Sequence, residues 1–152
     1  MTVAGLSVEN RRQVAVVLTA IGEEYQAVRA FIDQPEELAL HGTLFESGQF
    51  GPDGIEPWQV AVAELGEGTE NAAAITERAI RHFRPTHVLF VGVAGGVKDV
   101  RLGDVVAATK VYGYESGKDA AAFSPRPDLG RTTHTMEQRA RSVSRNDAWT
   151  SR

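Results

Sequence analysis

The 152 residues, 42% hydrophobic and 24% charged, suffice for one globular domain with a buried core. The absence of cysteine excludes disulfides and thiolate metal sites, and the histidines at 41, 82, 87 and 134 lack ligand spacing, so neither metal nor cofactor is expected. The net charge of −4 is unevenly spread: ten basic and 17 acidic side chains up to residue 125, then six arginines against three acids, a tail of local charge +3 that lacks interleaved aromatics and reads as a solvated face, not a nucleic-acid surface.

The apolar run Val14 to Ile21 is followed by Glu23 and Glu24 and is too short to cross a bilayer. Arg11 and Arg12 stand before it, but Glu9 precedes them, so no export signal is read and a cytoplasmic location is expected. Residues 1–12 are set apart as an N-terminal extension. Gln13 to Thr19 is a β-branched run of the kind that fills a buried parallel strand. Ile21, Tyr25, Val28 and Ile32 then recur at helical spacing, with Glu23 and Glu24 in the first turn, and Asp33-Gln-Pro35 is expected to end that helix.

Residues 41–57 read as irregular strand and turn, with Leu44 to Glu46 pairing and a turn at Gly51-Pro-Asp-Gly54. Trp58 to Leu65 is a strand. Gly66-Glu-Gly68-Thr leads into a helix whose stripe is Ala72, Ile75, Ala79 and Phe83, closed by Pro85. His87 to Val91 is the next buried strand, and it runs into Gly92-Val-Ala-Gly-Gly96, too glycine-rich for ordinary packing. Val105 to Val111 is expected to be a further strand after the Leu102-Gly-Asp104 turn. Residues 117–132 read as loop, and Thr133 to about Arg145 as a weak helix with Met136, Ala140 and Val143 on one side. No internal repeat is present. This order is α/β, with helices covering a mixed, mainly parallel sheet.

Ligands of such sheets sit beyond the carboxyl ends of the strands, which directs attention to the loops Ala20–Glu24, Gly66–Thr69 and Gly92–Gly96. No lysine follows either glycine loop as a P-loop requires, and Asn71 stands where a dinucleotide fingerprint needs its third glycine. A pocket with close backbone contact and no polyphosphate grip remains.

Here the residues resemble a family. Val16-Val-Leu-Thr-Ala-Ile-Gly-Glu-Glu24 is similar to the opening strand and acidic turn of methylthioadenosine/S-adenosylhomocysteine nucleosidases, in the nucleoside phosphorylase superfamily. Val91-Gly-Val-Ala-Gly-Gly96 followed by Leu102-Gly-Asp-Val-Val106 resembles their central glycine loop and next strand, and Gly66-x-Gly68 falls between. The resemblance implies a three-layer α/β/α fold, apparently truncated, with residues 13–118 as its N-terminal half and 119–152 as a loop and arginine-rich helix. It also implies that Glu24 positions and deprotonates the attacking water, and that Gly92, Ala94 and Gly95 line a purine nucleoside through backbone. Val93 replaces a frequent serine in that loop. Ile21 matches an apolar position near the sugar and its 5′ group, and Gly66, Gly68, Gly92 and Gly96 are the loop glycines.

Cleaving an N-glycosidic bond builds oxocarbenium character, which a carboxylate can stabilise while it holds a water beneath C1′. The plainer roles are that Glu23 and Glu24 complement the helix dipole, worth about 0.3–1 kcal/mol, and that Ile21 is core. Asp104 is read as a turn residue bonding its own backbone, and Asn71 as a residue that caps or begins a helix. Phosphorylases of similar fold carry arginines in the acidic loop and before the glycine loop. Thr19 to Glu24 and Leu89 to Gly92 contain no cation, so water is the expected nucleophile and phosphorolysis the alternative.

The family's purine clamp, its Glu-Met-Glu stretch for the ribose and its late aspartate have no counterpart here, and Thr135-Met-Glu137 is given no ribose role. The expected function is hydrolysis of an adenosine derivative, weak or absent in this chain alone. The alternatives are a non-catalytic nucleoside-sensing module of a larger regulatory or defence protein and a general α/β interaction domain. The expected partners are a purine nucleoside and either a second copy or the remainder of a longer polypeptide, with neither nucleic acid nor membrane.

Overall fold

The structure, a computed structural model, describes residues 13–52, 54–66, 69–113, 117–118, 124–125 and 128–146. Two compact units divide the chain, Met1–Gly95 and Gly96–Arg152.

In the first unit the elements are β1 (Val14–Thr19), α1 (Gly22–Arg29), β2 (Asp33–Leu40), β3 (Thr43–Phe50), β4 (Trp58–Glu64), α2 (Thr69–Phe83) and β5 (His87–Phe90). They build one mixed sheet in the order β2-β3-β4-β1-β5. β1 pairs in parallel with β4 and β5, and β3 pairs antiparallel with β2 and β4. Side chains of a strand alternate between faces, and the two cores follow that alternation. Val16, Leu18, Ala61 and Ala63 pack with Phe45 against Ala72, Ile75, Ala79 and Phe83 of α2. Ala15, Val17, Val60 and Val62 face the other way, against Tyr25 and Val28 of α1 and Ile32 beyond it. The result is an α/β fold, a central sheet with a helix layer on each face. Phe45 is fully buried and meets the Phe83 ring edge-on at 5.3 Å, and burial of such a side chain is worth about 1.5–3 kcal/mol.

Four expectations about this unit change. β5 forms where a buried strand was expected but is half-exposed, Phe90 at 66%, because among the described residues it is the last strand of the sheet. The segment after α1 is not a simple helix end, because Asp33–Leu40 is a full edge strand. Its acids and proline disguise it: an edge strand needs only one paired side and tolerates Pro35, and the register shifts between Asp33 and Glu36, beside the left-handed Gln34 (φ 48). Pairing in β3 extends well beyond Leu44–Glu46, from Thr43 to Phe50. Asn71 lies inside α2, past its first residue, Thr69, so it does not begin that helix.

The second unit contains β6 (Lys110–Gly113) antiparallel to β9 (Asp128–Arg131), the short pair β7 (Gly117–Lys118) and β8 (Ser124–Pro125), and α3 (His134–Ser144). The strand expected over Val105–Val111 forms only at its end. Val105 and Val106 are exposed and, among the described residues, unpaired, because a β-branched run records a capacity to pair and not the presence of a neighbour. Residues 117–132 are likewise not all loop, since β7, β8 and β9 fall within them. Asp104 closes its turn as expected, its Oδ2 accepting from the Arg101 N–H at 2.8 Å. Thr133 caps α3 by accepting from the Met136 N–H at 3.4 Å. Among the described residues no helix is long and apolar enough to cross a membrane.

Candidate active site

Because β4, β1 and β5 run parallel, their carboxyl ends share one edge of the sheet. The Leu65 N–H donates to the Thr19 carbonyl at 2.8 Å and the Val91 N–H to the Leu18 carbonyl at 2.9 Å, so pairing persists to the last residue. The chain therefore leaves the three strands side by side, with the loop after β1 in the middle.

Two buried polar side chains stand at this edge: Thr19, whose hydroxyl donates to the Ala63 carbonyl, and the ionisable Glu24, 9% exposed. Its Oε1 accepts from the Val93 N–H at 2.7 Å, and its Oε2 from the Ala20 and Ile21 N–H groups at 2.8 and 3.3 Å. The carboxylate thus joins the loop after β1 to the loop after β5. These donors, Val93 foremost, hold its pKa below the ordinary 4.5, against burial, which pushes the other way. The bond to Ile21 is also half of a capping box, with Ile21 at the N-cap and Glu24 three residues on. The helix-capping role and the bridging role are filled by the two oxygens of one carboxylate. A carboxylate offers about four lone-pair sites; among the described residues three are occupied, and the remaining one is on Oε1, the oxygen facing the glycine loop.

Gly92 stands against that oxygen. A Cβ there would lie 2.7 Å from Oε1 and 2.9 Å from the carboxyl carbon, so the residue's lack of a side chain makes room for Glu24. Gly95 has nothing within 4 Å of its Cβ position, and Ala94 is exposed. The Val93 N–H is occupied by Glu24, while its side chain is 86% exposed. Ile21 is 42% exposed and not core. Gly66 adopts a left-handed backbone (φ 70) that turns the chain out of β4. Gly68 lies outside the described residues. Gly96 begins the second unit, where a Cβ would meet Val100 Cγ2 at 2.1 Å.

Sequence reasoning did not single out Glu64, the last residue of β4, whose Oε2 lies 3.6 Å from the Cβ position of Gly22. Its place at a strand end beside two other strand-end loops was the available signal. It also missed a cluster on the next turn of α1. Tyr25 donates to Glu46, which is ion-paired with Arg29, and burial with that bond pushes the phenol up to about 12. A cavity of about 430 Å³ opens there, bounded by Tyr25, Glu37, Thr43, Glu46 and Glu64. Glu24 does not line it, so the enclosed volume is a neighbour of the carboxylate, and the hydrogen-bond geometry carries the assignment. No group of three His, Asp or Glu among the described residues could hold a metal ion.

The family model of the Phosphorylase superfamily matches residues 14–150. ATP nucleosidase Cap17 of Escherichia coli is 28% identical over 121 residues, 75% of this chain and 24% of that protein. The 5′-methylthioadenosine/S-adenosylhomocysteine nucleosidase of Geobacillus kaustophilus is 33% identical over 110 residues, 72% of this chain and 44% of that protein. The chain therefore spans less than half the length of either relative. Among solved structures, the corresponding nucleosidase of Neisseria meningitidis, in complex with methylthio-immucillin-A, superposes with a TM-score of 0.74 over 90% of this chain and 59% of that one, at 20% identity. Edge, strand order and family match agree: the chain belongs to the Phosphorylase superfamily.

Proposed function

We propose that this chain supplies the water-positioning half of a purine nucleosidase site, hydrolysing the N-glycosidic bond of an adenosine derivative. The supporting observation is the Glu24 carboxylate, held by the Val93, Ala20 and Ile21 amides with one acceptor site left on Oε1. A depressed pKa keeps the group ionised at neutral pH. That suits it to stabilise an oxocarbenium-like sugar and to orient a water by accepting one of its protons. It makes Glu24 a weak base, and a weak base suffices when the C–O bond forms first and the attached water becomes strongly acidic. Backbone of Ala94 and Gly95, unobstructed and beside the carboxylate, would approach the nucleoside, and the exposed Ile21 would meet the sugar's 5′ side. Because the chain spans only part of the length of its relatives, base protonation and ribose binding are assigned to none of its residues.

Purine release from 5′-methylthioadenosine or ATP, measured on the polypeptide of the complete reading frame, tests this. Glu24→Gln is expected to lower turnover by about 10²–10⁴-fold; undiminished turnover removes Glu24 from the mechanism. A second reading, a nucleoside-sensing module, is favoured by the three lock-like bonds on Glu24. It requires saturable nucleoside binding, seen as a ligand-dependent rise in Tm, with no purine release.

A further inference from the structure

On the α2 face of the first unit, a cavity of about 480 Å³ lies between α2 and the β2–β3 turn, lined by Leu40, His41, Glu77, Arg78, Arg81 and His82. Two guanidinium groups and two imidazoles face one carboxylate. Glu77 is committed to Arg81, at 2.8 Å and one helical turn away. Arg78 is different. It is half-buried, its Nη1 donates to the Oγ1 of the buried Thr43 at 2.9 Å, and no carboxylate among the described residues lies within ion-pair distance of it. A neutral hydroxyl fixes the direction of the guanidinium without neutralising its charge, and an anion in the cavity would add charge-assisted hydrogen bonds to it.

The turn adds a second feature. Leu40 and Thr43 pair across a two-residue connection in which His41 (φ 49) and Gly42 (φ 83) are both left-handed. Asparagine or aspartate followed by glycine is the usual solution for such a turn. Histidine there carries a conformational cost, and what it contributes is an imidazole at the cavity wall beside His82.

We propose that this cavity is a binding site for a phosphate-bearing anion, with Arg78 as its central contact, Arg81 and the two imidazoles as flanking donors, and Thr43 as the residue that orients Arg78. It is separate from the Glu24 edge, since no residue lines both. Planar, bidentate recognition of phosphate oxygens is what a guanidinium held in one direction does best.

Titration calorimetry at constant ionic strength, with inorganic phosphate, pyrophosphate and glycerol 3-phosphate as probes, tests the assignment. Saturable binding is expected. Arg78→Gln should weaken it by about tenfold or more and Arg81→Gln by less, while Arg78→Lys retains part of it and Glu24→Gln leaves it unchanged. Perturbation of the His41 and His82 imidazole resonances by the same probes locates the ion independently of any destabilised variant. Equal affinity for phosphate and glycerol 3-phosphate identifies free phosphate as the ligand chemistry, and a clear preference for glycerol 3-phosphate identifies a phosphate ester. Failure to saturate, binding unaltered in Arg78→Gln, or binding lost in Glu24→Gln overturns the proposal.

Discussion

Two glycines of the loop after β5, Gly92 and Gly95, look alike as letters and do different physical work. At Gly92 the backbone is pressed against the Glu24 carboxylate, and a single added carbon would lie 2.7 Å from Oε1. At Gly95 the same carbon would meet nothing within 4 Å. The inner half of the loop therefore holds the carboxylate, and the outer half has open space at Gly95. A glycine-rich run signals only that backbone must come close to something; which glycine faces protein and which faces open space is a property of the fold.

Substitution separates the two. Gly92→Ala must either displace a carboxylate held by three amides or shift the loop, and overpacking of this kind costs about 1–3 kcal/mol. Denaturant unfolding should show that loss. In a Glu24→Ala background, where the obstructing oxygens are gone, the same change should lower Tm by much less. An unaltered penalty in that background would mean that Gly92 answers to something other than Glu24.

A milder effect comes from pH. The folded-state pKa of Glu24 is depressed, so the stability it contributes is complete above the ordinary carboxylate value of 4.5 and is lost as pH falls through the lower, folded value. The Tm difference between the wild-type chain and Glu24→Gln should hold steady from neutral pH down to that ordinary value and narrow below it. A difference that widened under acid would contradict the carboxylate lock. Smallest of all, Gly95→Ala should leave stability within about 0.5 kcal/mol of wild type while reducing nucleoside-dependent thermal shift; a large loss of stability would erase the distinction between the two glycines.

Legibility in the sequence followed burial and locality. The strands β1 and β4 are buried and the helix α2 is periodic, so their pattern was readable, and β5 was legible as a β-branched, apolar run although it is half-exposed. β2 was not, because an edge strand rich in Asp, Glu and Pro satisfies its pairing on one side and carries no alternation strong enough to announce it. Residues Val105 and Val106 failed in the opposite sense, apolar and β-branched yet unpaired among the described residues. At the site, Glu24 and the glycine loop could be named from resemblance. That they share one rim followed from the strand order, but the bond that joins them could not be seen, because its donor is the backbone amide of Val93, 69 residues away, and a backbone amide has no letter of its own. Likewise the pairing of Arg78 depends on which acids are near it in space, and neighbouring Glu77 turns out to belong to Arg81.

The most direct test of the account is a crystal structure with an unreactive adenosine analogue bound. The account predicts an ordered water or the sugar's anomeric carbon against the free side of Glu24 Oε1, with the nucleoside resting on backbone of Ala94 and Gly95. A nucleoside seated away from that carboxylate, with Glu24 still closed on its three amides and touching neither water nor sugar, would contradict it.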